Sequence, residues 1–334
     1  MGSHYSICVL GVGAVGGLLG AAFVARGHTV TLVDRGARLS DLREKGLRVI
    51  GQDGDATVIS DADFVGADAV DGKFDVVLLA VKAHQISELA PTLERLIGPD
   101  TSLVTLQNGL PWWYFQGCDG VYKGTMLRSL DPDGAITSAV RPEQIIGAVV
   151  YPAAELGDDG TIRHVEGDRF VLGDLDGNTN GRVERIADLI SETGFRGQVQ
   201  ADIRAEIWLK TWGSLAFNTV SALTRSTMAG ICRDPVTKAL VRELMLETEA
   251  VANAVGVEMR VSLERRLAGA ERVGEHKTSM LQDIEAGRQT EVEAIIGSVL
   301  EIAQLTGTGM PRAQTVYALI KRLNDQIGQE RSVP

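Results

Sequence analysis

The chain opens on an unbroken apolar run, Ile7-Cys8-Val9-Leu10. A glycine-rich turn follows, Gly11-Val12-Gly13-Ala14-Val15-Gly16-Gly17, and then an apolar stretch that runs to Arg26 and stops at Gly27. A continuous apolar run fits a strand covered on both faces, and a glycine just past an apolar segment fits a helix C-terminus. Thr29 to Val33 is a second β-branched run, ending at Asp34-Arg35. Together these segments predict one βαβ unit with both strands inside a parallel sheet. Shorter runs at Leu47–Ile50 and Ala56–Ile59, separated by Gly51 and Gly54, predict an edge hairpin. Buried strands at 75–81 and 101–106 flank a helical pattern from about His84 to Ile97.

From Val149 to Leu175 the pattern changes to short runs with turn signals at Asp158-Asp159-Gly160 and Glu166-Gly167-Asp168, a meander extending the sheet. From about Asp202 it is almost wholly helical, at 202–225, 235–255, 258–270, 280–306 and 312–326. The fold class is therefore α/β: a Rossmann-type doubly wound sheet domain followed by an all-α C-terminal domain. The boundary falls near residue 200, giving a dinucleotide-binding domain over 5–200 and a helical substrate and dimerisation domain over 201–328. No Pro- or Ser-rich linker separates them, so they are expected to pack closely with a cleft between. The helices at 280–306 and 312–326 carry enough apolar surface for a homodimer.

Composition agrees with two folded domains: 334 residues, 44% apolar and 23% charged, with 38 Gly against 9 Pro, at about 100–200 residues per domain. Charge narrows the partners. With 33 Lys plus Arg against 44 Asp plus Glu, the net charge of −11 repels phosphate polymers and anionic lipid. Nucleic acid and membrane are thus excluded as partners, and an anionic ligand needs a local positive site. Cys8, Cys118 and Cys232 are far apart, without zinc-like spacing, so no metal is expected and a reducing cytoplasm fits. No apolar run is long enough to span a bilayer. Met1 to His4 lacks signal-peptide character and reads as an expression scar.

The glycine turn carries the first chemistry. Gly11 permits the tight turn, Gly13 lets a pyrophosphate approach the backbone, and Gly16 allows close helix-to-strand packing. Ala14 and Val15 open the helix whose free N–H groups face the anion. Inside a βαβ unit, with an acidic residue about 20 positions on, the pattern points to a dinucleotide. The end of the second strand leaves two readings open. Asp34 accepts from a ribose 2′-hydroxyl and favours NAD(H), whereas Arg35 and Arg38 pair with a 2′-phosphate and favour NADP(H).

Three later stretches place polar groups where apolar ones are expected. Lys82, in Val81-Lys82-Ala83, sits at the carboxyl end of a buried strand, where open α/β sheets bind ligands. Asn108, in Gln107-Asn108-Gly109, reaches the same rim from the next strand. In the helix from Glu206, Lys210, Ser214 and Asn218 fall at i, i+4 and i+8 and line one stripe, facing either water or a site. Ser279-x-x-Gln282 reads as a capping box with Ser279 at the N-cap. Glu291 is not distinguished by spacing from its acidic neighbours.

In this order, Gly11-Val12-Gly13-Ala14-Val15-Gly16-Gly17, Val81-Lys82-Ala83, Gln107-Asn108-Gly109, Trp208-x-Lys210, Ser279-Met280-Leu281-Gln282-Asp283 and Thr290-Glu291 resemble the ketopantoate reductase (2-dehydropantoate 2-reductase) family over residues 6 to 325. The resemblance implies reduction of a small-molecule 2-oxo acid by NADPH in the cleft. It implies Lys210 as general acid and Glu291 as the group positioning Lys210 and the substrate. Asn108, Ser214, Asn218 and Ser279 would bind substrate, and Lys82 and Asn108 would lie near the cofactor. A lysine enclosed in a cleft has its pKa lowered, while a neighbouring carboxylate opposes that drop.

Two departures bear on specificity. Ser214 stands where the family often has Asn, and Asp34 adjoins the arginine position associated with NADP. In addition, Trp112-Trp113-Tyr114-Phe115 places four aromatics after Asn108. They are either a loop tucked into its own core or an apolar wall suited to a substrate bulkier than ketopantoate. Two rivals stand beside the reductase: a related dehydrogenase or imine reductase acting on another carbonyl compound, and a non-catalytic dinucleotide-binding sensor.

Overall fold

The computed structural model describes residues 4–177 and 181–331, so of the Met1-to-His4 segment read as a scar, Met1 to Ser3 lie outside the described residues. Strand β1 (Ser6–Leu10), helix α1 (Ala14–Ala25) and β2 (Thr29–Val33) form the expected βαβ unit. There follow α2 (Gly36–Lys45), β3 (Leu47–Ile50), β4 (Ala56–Ile59), β5 (Asp63–Val65), β6 (Val76–Leu79), α3 (Ala90–Leu96), β7 (Ser102–Thr105) and α4 (Ala135–Ala139). The α/β part ends with β8 (Ile145–Val150), β9 (Ala153–Leu156), β10 (Ile162–Glu166), β11 (Arg169–Asp174), α5 (Arg182–Glu192) and β12 (Arg196–Val199). The helix expected from His84 begins only at α3, after two short 3-10 turns. Pro91 explains the late start, because proline lacks an N–H and is tolerated in a helix's first turn.

The main sheet has the order β12-β11-β8-β7-β6-β1-β2-β5. Every pairing is parallel except β11 with β8. The chain steps outward from β1 in both directions, so the glycine turn after β1 lies at the topological switch point.

The expected hairpin forms, whereas the expected meander needs correction. β3 and β4 do pair antiparallel, but away from the main sheet. Of the meander, only β8 and β11 extend that sheet, while β9 and β10 join the hairpin in a second sheet of order β4-β3-β10-β9. The reason lies in α1, whose residues AVGGLLGAAFVA are apolar on every side and need cover on both faces. Its glycines let both sheets approach. A Cβ on Gly20 would lie 2.7 Å from Leu32 of the main sheet, and one on Gly17 would lie 2.3 Å from Ile162 of the small sheet.

A second unit is helical: α6 (Ile203–Thr224), α7 (Met228–Arg233), α8 (Pro235–Ala254), α9 (Leu263–Arg272), α10 (Ser279–Glu285), a π-helical turn (Glu293–Gly297), α11 (Ser298–Thr306) and α12 (Pro311–Arg331). Trp208, Trp212 and Leu215 of α6 are fully buried, and the Trp212 indole donates to the Met245 carbonyl of α8 at 2.8 Å. The Glu247 carboxylate accepts from the Arg312 and Ala313 amides at the N-terminus of α12, where negative charge is stabilising.

The helix expected over 280–306 is broken. Gly287, at φ +60, follows the end of α10, and a segment without regular structure to Glu291 precedes the π-turn. Thr290 is pinned there, its amide donating to Asn324 Oδ1 at 2.7 Å.

The division between units is not a single cut near residue 200. The sheet unit runs to Gln107 and adds Phe115–Met126 and Asp133–Ile203. The helical unit takes Asn108–Tyr114 and Leu127–Pro132 as well as the chain from Arg204. Among the described residues no helix is long and apolar enough to cross a membrane, and no group of three or more His, Cys, Asp or Glu is placed to hold a metal ion.

Candidate active site

In the sheet unit the three glycines do different things. Gly11 has φ +101, and a Cβ there would lie 2.8 Å from the Val81 amide nitrogen. A Cβ on Gly16 would lie 2.1 Å from the Gly11 carbonyl oxygen and 2.7 Å from Ala80. Both positions are fixed by the protein's own packing. At Gly13 a Cβ would meet no atom within 4 Å, so the backbone there has an open face. Gly13 also caps α1 without a side chain, leaving the first-turn N–H groups around Ala14 and Val15 for water or an anion. An open glycine at an uncapped helix N-terminus, at the switch point, fits a dinucleotide pyrophosphate.

At the end of β2, both Asp34 oxygens are already engaged: Oδ2 accepts from the Val12 amide at 2.9 Å and Oδ1 from the Arg35 amide at 2.8 Å. Arg35 is exposed and ion-paired with Glu88 at 3.1 Å. Arg38 donates through Nη1 to the Gly160 carbonyl at 2.9 Å, while its Nε and Nη2 are buried with no hydrogen-bond partner among the described residues. Lys82 follows β6 at the head of a 3-10 turn, its amide donating to Gln85 Oε1 at 3.2 Å. Gln107 ties down this rim by donating to the Leu79 and Val81 carbonyls at 2.7 and 3.0 Å. The sequence pattern did not single out Gln107.

In the helical unit, residues far apart in sequence form one chain of hydrogen bonds. The Lys210 ammonium donates to Asn108 Oδ1 at 2.8 Å, and Asn108 Nδ2 donates to Glu291 Oε2 at 2.9 Å. The amide thus accepts from the cation and donates to the anion, which fixes its orientation. Burial pushes the Lys210 pKa down to about 8; the Glu291 charge opposes that fall and the Arg266 charge adds to it. A lysine titrating near neutrality can both hold and release a proton under working conditions.

The backbone sets Asn108 in place. Gly109, at φ +80, lies against the π-turn, where a Cβ would come 2.0 Å from the Ala294 carbonyl oxygen. That carbonyl accepts from the Leu110 amide at 2.8 Å and from Ser298 Oγ at 2.9 Å. π-turns shift helix hydrogen bonds by one residue and recur at functional sites. Glu293, at the start of this turn, accepts from Tyr317 Oη at 3.0 Å and pairs with Lys321 at 2.8 Å.

Ser214 and Asn218 share the α6 stripe with Lys210 and are half-buried. Ser279 is exposed in the first turn of α10 and is not its N-cap. Thr278 takes that role, its hydroxyl accepting from the Leu281 amide at 3.3 Å, which moves the helix start back by one residue.

The four aromatics are tucked inward, each at most 4% exposed. Tyr114 Oη accepts from Trp208 Nε1 at 2.6 Å, Trp113 faces Arg204 at 5.9 Å, and Phe115 packs on Tyr122 with centroids 5.5 Å apart. The apolar-wall reading is therefore corrected, since these rings are occupied by their own neighbours.

Comparison with known proteins places the chain. The family model described as "Ketopantoate reductase PanE/ApbA" matches residues 7–113, and "Ketopantoate reductase PanE/ApbA C terminal" matches 202–324. A 2-dehydropantoate 2-reductase of Mesorhizobium japonicum is 44% identical, covering 95% of this chain and 97% of its own. A crystal structure provisionally named ketopantoate reductase, from Ralstonia solanacearum, superposes with a TM-score of 0.91 at 35% identity, covering 98% and 99% of the two chains. A D-mandelate dehydrogenase, solved with NADH and anilino(oxo)acetate, shares the fold with a TM-score of 0.83 at 22% identity, over 97% and 99%. The chain belongs to the ketopantoate reductase family, oxidoreductases that act on CH–OH groups.

Proposed function

We propose that this protein reduces ketopantoate to pantoate with NADPH, and that Lys210 is the proton donor. The observation that carries the proposal is the Lys210–Asn108–Glu291 chain with its lysine titrating near pH 8. A bound nicotinamide dinucleotide supplies the hydride that reaches the ketone carbon. Charge then builds on the ketone oxygen and needs a proton or a cation already in place. The Lys210 ammonium gives its proton to that oxygen, is left as the neutral amine, and regains a proton from solvent. The balance is one 2-oxo acid, one NADPH and one proton consumed for one 2-hydroxy acid and one NADP+. Glu291, acting through Asn108, holds the ammonium in line and favours its charged form. Ser214, Asn218 and Ser279 take the remaining polar groups of the substrate.

For the cofactor, the open backbone at Gly13 and the first-turn amides of Ala14 and Val15 would hold the pyrophosphate, in a turn that Gly11 and Gly16 allow to pack, and Lys82 and Asn108 would lie near the cofactor as the family resemblance implies. NADPH is preferred over NADH because Asp34 spends both oxygens on backbone amides, while Arg35 is held only by an exposed ion pair, worth about 0–1 kcal/mol. Exchanging Glu88 for a 2′-phosphate costs Arg35 little. Asp34 supports the second reading, NADH, if its remaining lone pairs accept a ribose hydroxyl.

The test is a panel of 2-oxo acids of increasing bulk, assayed separately with NADPH and NADH. We expect ketopantoate with NADPH to give the highest kcat/KM. No cofactor oxidation with any 2-oxo acid would sink the proposal in favour of a sensor. Because the acid form of Lys210 is the active one, the reduction rate is expected to fall as pH rises through about 8. A flat profile from pH 7 to pH 10 (~2 units above that midpoint) would remove Lys210 from the proton step.

A further inference from the structure

Tyr317, Lys321, Asn324 and Gly328 of α12 fall at i, i+4, i+7 and i+11 and so form one stripe of the helix. The stripe lies against the segment that carries Glu291. Asn324 is buried, and its Oδ1 accepts from the Thr290 amide at 2.7 Å and from the Thr290 hydroxyl at 3.1 Å. Tyr317 Oη donates between the two Glu293 carboxylate oxygens, 3.0 Å from each. Lys321 Nζ pairs with Glu293 Oε1 at 2.8 Å and with Asp325 at 3.5 Å. At the far end, a Cβ on Gly328 would lie 2.6 Å from Gln289 Nε2. Glu291 is therefore gripped on both sides along the chain, one residue before it and two residues after it, by groups from a single helix face.

The second grip needs room of its own. The Glu293 carboxylate folds back over the π-turn, where a Cβ on Gly297 would lie 2.2 Å from Oε2. A side chain at that position would push the carboxylate off both of its α12 partners. The Glu291 carbonyl in turn accepts from the Ile295 amide at 3.0 Å, which ties its backbone into the same turn. Anchors at 290 and 293 leave the peptide between them little freedom to rotate, and the direction of the Glu291 side chain follows from that backbone.

We propose that the Tyr317–Lys321–Asn324 face of α12 is a clamp that aims Glu291 at Asn108, which makes these three side chains positioning residues for Lys210. Their influence reaches the ammonium only through Glu291 and Asn108. Their part in turnover rests on the reduction proposed above, whereas their effect on the Lys210 charge does not. Burial lowers the Lys210 pKa, the Glu291 charge opposes that fall and the Arg266 charge adds to it. A loosened clamp weakens the opposing charge, so the lysine titrates lower and less of its acid form remains near pH 8.

The experiment reads the Lys210 midpoint in two ways. One is the pH profile of kcat for ketopantoate at saturating NADPH. The other is an NMR titration of isotope-labelled lysine, with the signal assigned by its loss in Lys210→Met. Wild type is expected to give about 8 by both. Asn324→Ala, Tyr317→Phe and Glu293→Ala should each lower the midpoint by about 0.5–1 unit, less than a whole neighbouring charge is worth because Glu291 moves rather than disappears. That shift alone lowers kcat about 2- to 5-fold at the wild-type midpoint. Glu293→Gln keeps an acceptor for the tyrosine hydroxyl and should recover part of the Glu293→Ala loss. Dinucleotide affinity should match wild type in every variant. Tyr317→Phe retains the ring beside Gly297 and decides the matter if Asn324→Ala does not fold. Variants that melt lower yet keep the wild-type midpoint would overturn the clamp and leave α12 a structural support. If wild type reduces no 2-oxo acid while the NMR midpoint still falls in the variants, the reductase reading fails and the clamp stands.

Discussion

The glycine cradle of the sheet unit and the Lys210 chain of the helical unit are built on opposite principles. The cradle is made of backbone within one βαβ segment, and its key atoms are hydrogen and empty space: Gly11 and Gly16 are forced by packing, and Gly13 keeps a face open. The Lys210 chain is made of side chains from positions 108, 210 and 291, each fixed by a different structural device. A backbone site binds an anion without titrating, whereas a side-chain site can move a proton because its pKa is adjustable. Under the proposed function, binding and chemistry would fall to different kinds of structure.

The largest expected effect tests that separation. Lys210→Ala should lower kcat/KM by about 10²–10⁴-fold, the range for removing a general acid, with dinucleotide affinity by fluorescence titration nearly unchanged. Loss of dinucleotide binding in this variant would erase the distinction. Next comes Gly109→Ala, which puts a methyl against the Ala294 carbonyl and forces Asn108 off its line. A drop of about 10- to 100-fold in kcat/KM is expected from a displacement of that order, and unchanged kinetics would show that the loop position is immaterial.

Gly16→Ala addresses the cradle. The added methyl meets the Gly11 carbonyl, and a loss of about 1–3 kcal/mol in unfolding free energy is expected, together with weaker dinucleotide binding. A stable variant with native affinity would mean the glycine is not a packing requirement. The smallest effect belongs to Arg35→Ala, which should raise KM for NADPH about 10-fold and spare NADH. Equal changes for both cofactors would assign Arg35 no part in their discrimination.

The same contrast explains what could be read from sequence. The cradle was legible because its geometry is local: Gly11, Gly13, Gly16 and Asp34 lie within one βαβ unit, and spacing alone carries the meaning. Lys210 was legible as a polar position on an apolar helix, but spacing did not pick out Glu291, because nothing local distinguishes it from Glu285 or Glu293. The family resemblance supplied it.

In the fold, the small sheet was misplaced for a related reason. Strand pairing across more than a hundred positions, as between Val49 and Ile162, leaves no local trace. The uniform apolarity of α1 was the available signal, since a helix greasy all round demands cover on two sides. Ser279 and Thr278 show the limit of capping patterns, where adjacent hydroxyl residues compete and one position decides.

The π-turn at Glu293–Gly297 has a consequence for sequence drift. It is a helix carrying one residue too many, and the surplus turns the Ala294 carbonyl toward Leu110. Deleting a single residue there would let the helix relax to ordinary α geometry, with better local hydrogen bonds, and would withdraw the acceptor that anchors the Asn108 loop. A variant shortened by one residue there is expected to be more stable and catalytically impaired at once, so the extra residue trades folding for the position of the Asn108 loop.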